Sequence, residues 1–198
     1  IPEDPATQGH GRPYRVVSLS RFDYQKNSVF LIKVLEELRR CGRMEDFRFE
    51  IIGDGVEKES IMRLSEERGV AASMRFIDAT RTPHVHFAGA FCYFSSSRWE
   101  GMPLGVLEAM AHGLPPVASD VVGNRDAVIH AETGLLYPQG DAVAAAAALC
   151  SISDDAAKRK SLGEKARVFV RQQHDVRHMA EMLASILRNT ARVVPPRE

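Results

Sequence analysis

Two carboxylates, Glu100 and Glu108, stand with seven residues between them, and the stretch Gly101, Met102, Pro103 and Leu104 follows the first directly. As the acid and nucleophile of a hydrolase they would need to bring their carboxyls to within about 5–10 Å of each other on one bond. A mostly helical path of eight residues sets their Cα atoms on the order of 12 Å apart, so that chemistry requires the side chains to converge. Two cations, Arg21 and Lys26, offer a different chemistry. Arginine presents a bidentate fork and lysine a point charge, a usual combination for gripping a diphosphate. An isolated pair of this kind is more often surface charge, so its place in the fold decides.

The elements around these residues can be read from pattern. Ala90–Ser95 is a short apolar run with two aromatics and serines at its exit, which predicts a buried strand. Pro103 suits a first helical residue and Gly113 a stop, with Leu104, Leu107, Ala111 and Leu114 forming an apolar stripe at helical spacing. A helix that starts beside a strand end presents unpaired N–H groups and partial positive charge to a phosphate. Gly101 lets a ligand approach the backbone. Two carboxylates beside such a phosphate are compatible with neutral hydroxyls, as a sugar and a ribose supply, and this points to a nucleotide-sugar. Arg21 and Lys26 follow a predicted first strand, Tyr14–Ser20, and precede a helix from Ser28, its N-cap, through Arg40. Strand-exit loops of open α/β sheets are where ligands bind, and this favours the diphosphate role.

The frame Ser97-x-x-Glu100-Gly101-x-Pro103, followed by Glu108-Ala109-Met110-Ala111-x-Gly113-x-Pro115, resembles the signature of retaining family-4 (group 1) glycosyltransferases. The resemblance covers about Val16 to Asn189 and implies the C-terminal, donor-binding half of a two-lobed GT-B enzyme. It implies that Glu100 lies beside the donor sugar and Glu108 binds the ribose hydroxyls, while the backbone from Gly101 to Leu104 faces the pyrophosphate and sugar. Arg21 and Lys26 match the family's phosphate grip, with Asn27 where glycine is usual. Arg75 would stack on the base and the backbone near Phe76 would read its edge, although Asp78 replaces the usual glycine of that turn. Glu100, Arg21 and Lys26 are thus the expected catalytic residues. The family's front-face route retains configuration, the acceptor attacking as the diphosphate leaves.

The rest of the chain alternates strand and helix. Phe47–Ile52, Met74–Ile77, Pro116–Ser119 and Gly134–Tyr137 read as strands. Helices are predicted at 57–68, 82–88, 124–130, 142–152 with Asp141 as N-cap, 154–173 and 175–189. Five consecutive alanines in the 142–152 helix reflect helix propensity. The alternation predicts an α/β fold, a doubly wound, mainly parallel Rossmann-like sheet of about six strands with helices on both faces. Gly53-Asp54-Gly55 lacks the third glycine of a dinucleotide fingerprint and reads as a turn, which disfavours a dehydrogenase.

At 198 residues the chain suits one compact domain. Lys plus Arg equals Asp plus Glu at 26 each, so net charge gives no attraction to nucleic acid. Three widely spaced cysteines suit reduced thiols in a cytoplasmic protein. His84 and His86 have no third ligand near them, and no Asp-x-Asp occurs to hold a divalent ion on a diphosphate, so no metal and no cofactor is expected beyond the nucleotide-sugar donor. Residues 1–13 read as a linker remnant, 14–191 as the nucleotide-sugar-binding domain and 192–198 as a tail. The start, Ile1-Pro2-Glu3, reads as that of an excised piece. The resemblance implies a missing N-terminal acceptor domain, toward which helix 175–189 crosses and through which contact with the inner face of the membrane would be made. A non-catalytic nucleotide-sugar-binding module and a sugar-nucleotide epimerase on the same fold are the alternatives.

Overall fold

The computed structural model describes residues 11–173. The expectations for residues 1–10, for the helix 175–189 and for the tail 192–198 lie outside that range.

Six strands, β1 (Tyr14–Leu19), β2 (Phe47–Ile52), β3 (Met74–Ile77), β4 (Cys92–Ser95), β5 (Pro116–Ser119) and β6 (Leu135–Tyr137), form one sheet in the order β3-β2-β1-β4-β5-β6. Every pairing is parallel. Helices α1 (Phe30–Arg40), α2 (Lys58–Glu67), α3 (Leu104–Ala111), α4 (Val122–Ala127), α5 (Ala142–Asp154) and α6 (Ala156–Gln173) complete the doubly wound α/β fold expected from the sequence.

A parallel sheet covered on both faces favours near-continuous apolar runs over strict alternation, although β1 carries Arg15 and β2 carries Arg48 and Glu50. β4 and β5 are buried at every position. Adjacent residues of β1 go to opposite sides. Val16 joins the core built with α1, α2 and α5, around Leu35, Ile61 and Leu149, whereas Val17 joins the one built with α3, α4 and α6, around Met110, Ala127 and Ala166.

The sheet reverses direction of growth at β1, which pairs with β2 on one side and β4 on the other. Chain leaving β1 goes one way and chain leaving β4 the other, and a crevice opens between the two exit loops, the expected ligand position in such sheets. Residues 20–29 form the first loop and 96–103 the second. They carry Arg21, Lys26 and Glu100.

Several boundaries differ from the sequence reading. α1 begins at Phe30, and Ser28 does not cap it; its buried hydroxyl bonds that of Ser20 at 2.5 Å. Pro103 sits one residue before α3 rather than inside its first turn. The buried face of α3 is Val106, Leu107, Ala109 and Met110, and Leu104 is 61% exposed because it lines the crevice instead of the core. The predicted helix 124–130 lies earlier, at α4, and the segment after Thr82 is a 3-10 turn, Pro83–His86, with no side-chain cap. Asp141 does cap α5, its carboxylate accepting from the Ala144 N–H at 2.9 Å.

The glycines of Gly53-Asp54-Gly55 are needed for packing. A Cβ on Gly53 would lie 1.7 Å from the Ser20 carbonyl oxygen, and one on Gly55 would lie 2.5 Å from that of Phe22. The β2 exit therefore presses on the backbone of the β1 exit. Gly53→Ala must push the two loops apart, and we expect a loss of about 2–4 kcal/mol, measurable by urea unfolding; a variant as stable as the parent would contradict this packing.

Candidate functional site

The crevice is a cavity of about 540 Å³ lined from four strand exits. Arg21, Gln25 and Lys26 come from the β1 loop, Gly53 and Asp54 from β2, Thr80 and Pro83 from the segment after β3, and Glu100, Met102, Leu104 and Glu108 from the β4 loop and α3.

Lys26 and Glu100, 74 residues apart in sequence, meet inside it. The Lys26 Nζ donates to Glu100 Oε1 at 2.7 Å, with the carboxylate side chain 5% exposed and the lysine side chain 24%. A carboxylate so far from water needs such a partner. Ser97 Oγ donates to the same oxygen at 2.6 Å, and Oε2 has no hydrogen-bond partner among the described residues. Ser97 is in turn held by the fold, since its carbonyl accepts from Ser119 Oγ at 2.6 Å, and Ser119 is contacted by the buried Asn124 amide at 2.9 Å.

Arg21 stays at the rim with its side chain 68% exposed, bonded to Gln25 Oε1 at 2.9 Å and near Asp23 at 3.3 Å. Glu108 is exposed on the cavity wall, and its carboxylate has no partner among the described residues. No side chain caps α3; the Leu104 N–H bonds the Met102 carbonyl at 3.0 Å, and those of Gly105 and Val106 are open to a ligand. At Gly101 an added Cβ would meet nothing within 4 Å, so packing does not demand glycine there. Pro103 is buried beneath the loop.

Neither Arg75 nor Phe76 lines the cavity. Arg75 donates to Glu50 at 3.2 Å, because Glu50 is buried in the neighbouring strand and requires cations; Arg15 supplies the other at 2.8 Å. Phe76 packs its ring 5.9 Å from that of Phe22. Ala79 and Thr80 line the cavity in their place. Asp78 is 95% exposed in its side chain and bonds Lys58 at 2.6 Å, which holds its carboxyl below the usual carboxylate range through that hydrogen bond and charge.

Asn27 departs from the usual glycine yet keeps a left-handed φ of 53°, a conformation asparagine tolerates better than most residues. Sequence reading missed Gln25, Tyr93 and the role of Ser97, although the Ser-x-x-Glu spacing was in view. Tyr93 is buried beneath the cavity floor, and burial pushes its phenol well above the usual range. His84 stacks on His112 at 6.0 Å between ring centroids. Among the described residues no group of three or more His, Cys, Asp or Glu could hold a metal ion, and no helix is long and apolar enough to cross a membrane.

This arrangement of fold and crevice has counterparts. The family model for glycosyl transferases group 1 matches residues 1–169, and the chain belongs to that family. It is 32% identical over 127 residues to an uncharacterized glycosyltransferase of Haemophilus influenzae, covering 64% of this chain and 35% of that one. It is 30% identical over 181 residues to a GDP-mannose-dependent alpha-(1-6)-phosphatidylinositol monomannoside mannosyltransferase of Mycolicibacterium smegmatis, covering 87% of this chain and 47% of that one. The fold matches a mutant of S. aureus TarM crystallised with fondaparinux, alpha-GlcNAc-glycerol and UDP. The TM-score is 0.80 at 23% identity, over 90% of this chain and 36% of that one. The chain thus spans less than half the length of each.

Gly105 of α3 lies against the floor, where an added Cβ would come within 2.4 Å of the Tyr93 hydroxyl oxygen and 3.3 Å of the ring carbon bearing it. Gly105→Ala should cost about 1–3 kcal/mol of stability by overpacking. Combined with Tyr93→Phe, the same change should be close to neutral, since the hydroxyl is gone and alanine is the better helix former. Equal costs of Gly105→Ala in the two backgrounds, read by thermal unfolding, would show the contact to be wrong.

Proposed function

We propose that the chain is the donor-binding half of a retaining glycosyltransferase that takes a hexosyl-type sugar from a nucleotide-sugar for polysaccharide or glycan biosynthesis. The observation that carries this is the meeting of Lys26 and Glu100 at 2.7 Å in one cavity with Glu108 and the uncapped start of α3.

In this reading the diphosphate lies between Lys26, Arg21 and the N–H groups of α3, which supply positive charge where negative charge grows as the sugar–phosphate bond breaks. Glu108 accepts from the ribose hydroxyls. Glu100, anchored through Oε1, offers Oε2 to a hydroxyl of the donor sugar, and Gly101 to Leu104 line the sugar and pyrophosphate. The acceptor attacks on the face the diphosphate leaves, so configuration is retained. The base lies toward Thr80 and Pro83 rather than on Arg75, which is committed to Glu50.

The mycolicibacterial relative is GDP-mannose-dependent by name, which supports a nucleotide-sugar as donor. The acceptor is bound by a part of the protein outside this chain, in the cytoplasm or at the inner face of the membrane. Neutralisation by Arg21, Lys26 and α3 leaves no task for a divalent ion, so UDP or GDP affinity should be unchanged by EDTA; loss on chelation with recovery on adding Mg²⁺ or Mn²⁺ would overturn this scheme.

The ion pair makes a sharper test. Lys26→Ala removes a charge-assisted bond and should weaken UDP or GDP by about 1.5–3 kcal/mol, on the order of ten- to a hundredfold. Glu100→Gln releases Lys26 and should tighten the plain diphosphate by about 1 kcal/mol, roughly fivefold, while removing the preference for the sugar-bearing ligand. Calorimetry in which Glu100→Gln weakens the plain diphosphate as much as Lys26→Ala does would defeat this division of roles.

A further inference from the structure

In the reading above Lys26 serves the diphosphate and Glu100 the sugar it bears only if the two are held at a fixed spacing, yet they belong to two irregular loops that no strand pairing joins. What joins them is a set of polar contacts centred on Asn27 and Arg98. The Asn27 amide uses both ends: Nδ2 donates to the Ser96 carbonyl at 3.2 Å and Oδ1 accepts from Arg98 Nη2 at 3.0 Å. Asn27 is only 5% exposed. The Arg98 Nε donates to the Tyr24 carbonyl at 3.1 Å, and its guanidinium lies 4.2 Å from the Tyr24 ring centroid. Main-chain contacts run alongside, Arg98 N–H to the Gln25 carbonyl at 2.8 Å and Ser96 Oγ to the Lys26 carbonyl at 2.9 Å.

Each partner flanks a site residue. Asn27 follows Lys26 directly, and Arg98 lies two residues before Glu100. Glycine would satisfy the left-handed turn at position 27 but could not reach across to the second loop, so the amide adds something the turn alone does not need. Arginine's rigid fork lets one side chain hold two acceptors of the first loop at once.

We infer that Asn27 and Arg98 form a bracket that sets the placement of Lys26 against Glu100, acting as positioning residues for diphosphate binding. The inference rests on the reading of Lys26 as a diphosphate ligand given above. The bracket touches no ligand itself, and its effect on binding passes through the Lys26 ammonium.

A double-mutant cycle tests this on the chain as it stands, with UDP and GDP as probes in calorimetry and thermal unfolding as the control. Asn27→Gly keeps the turn and removes the bracket; Arg98→Gln removes it from the other side and serves if the first variant folds poorly. Either change should weaken the tighter-binding of the two probes about five- to twentyfold in the parent chain. In the K26M background the same change should alter affinity less than twofold. Equal losses in both backgrounds, or no loss in the parent, would overturn the bracket while leaving Lys26 as a ligand. Failure of the parent to bind either probe, or K26M binding both as well as the parent does, would instead remove the reading on which the bracket rests.

Discussion

The ion pair between Lys26 and Glu100 is the contact on which the site depends. A carboxylate 5% exposed is unfavourable without a cation, and the cation reaches it only because β1 and β4 lie side by side in the sheet. Parallel strands deliver their exit loops to the same edge, and at β1 the sheet grows away on both sides, so the loops after β1 and β4 face each other across an opening instead of packing together. Most of the remaining features serve this opening. Glycines at 53 and 55 let the β2 exit close against the first loop, and Ser97, held by Ser119, fixes one oxygen of the carboxylate.

The pair also gives the cavity its electrostatic character. With Lys26 neutralised by Glu100, the wall charges without an ion-pair partner are the exposed carboxylates of Asp54 and Glu108, while Arg21 at the rim is engaged by Asp23. A plain anion must compete with Glu100 for the lysine, whereas a ligand carrying both phosphate and hydroxyls satisfies both members at once. Under the proposed function, such a site would favour a diphosphate that bears a sugar over inorganic phosphate by the cost of leaving a buried carboxylate without its cation.

Much of this was legible in the sequence where local pattern governs. Fully buried parallel strands announce themselves as short apolar runs, and β2, β3 and β5 fall on the predicted residues. The placement of Arg21, Lys26, Glu100 and Glu108 around one cavity followed from strand-exit logic together with the Ser-x-x-Glu frame. Long-range pairing was not legible. Nothing near Arg75 announces that Glu50 is buried in the next strand and claims it, and nothing near Ser28 shows that its hydroxyl is taken by Ser20 instead of the helix start. The apolar stripe of α3 misplaced Leu104 for a related reason: hydrophobicity alone does not separate a core position from the wall of a crevice. Asn27 stood out as a departure from glycine, but its meaning appears only when Ser96 and Arg98 are brought beside it.

If a nucleoside diphosphate binds in the crevice at the exits of β1 and β4, as proposed, titrating the ¹⁵N-labelled chain with UDP and with GDP while following its backbone amide resonances will show it. The bound nucleotide should perturb residues 20–27, 53–54, 79–83 and 100–108 above all others. Perturbations centred instead on the groove that Glu132 and Thr133 form with α6, or no perturbation by either nucleotide, would contradict the proposal.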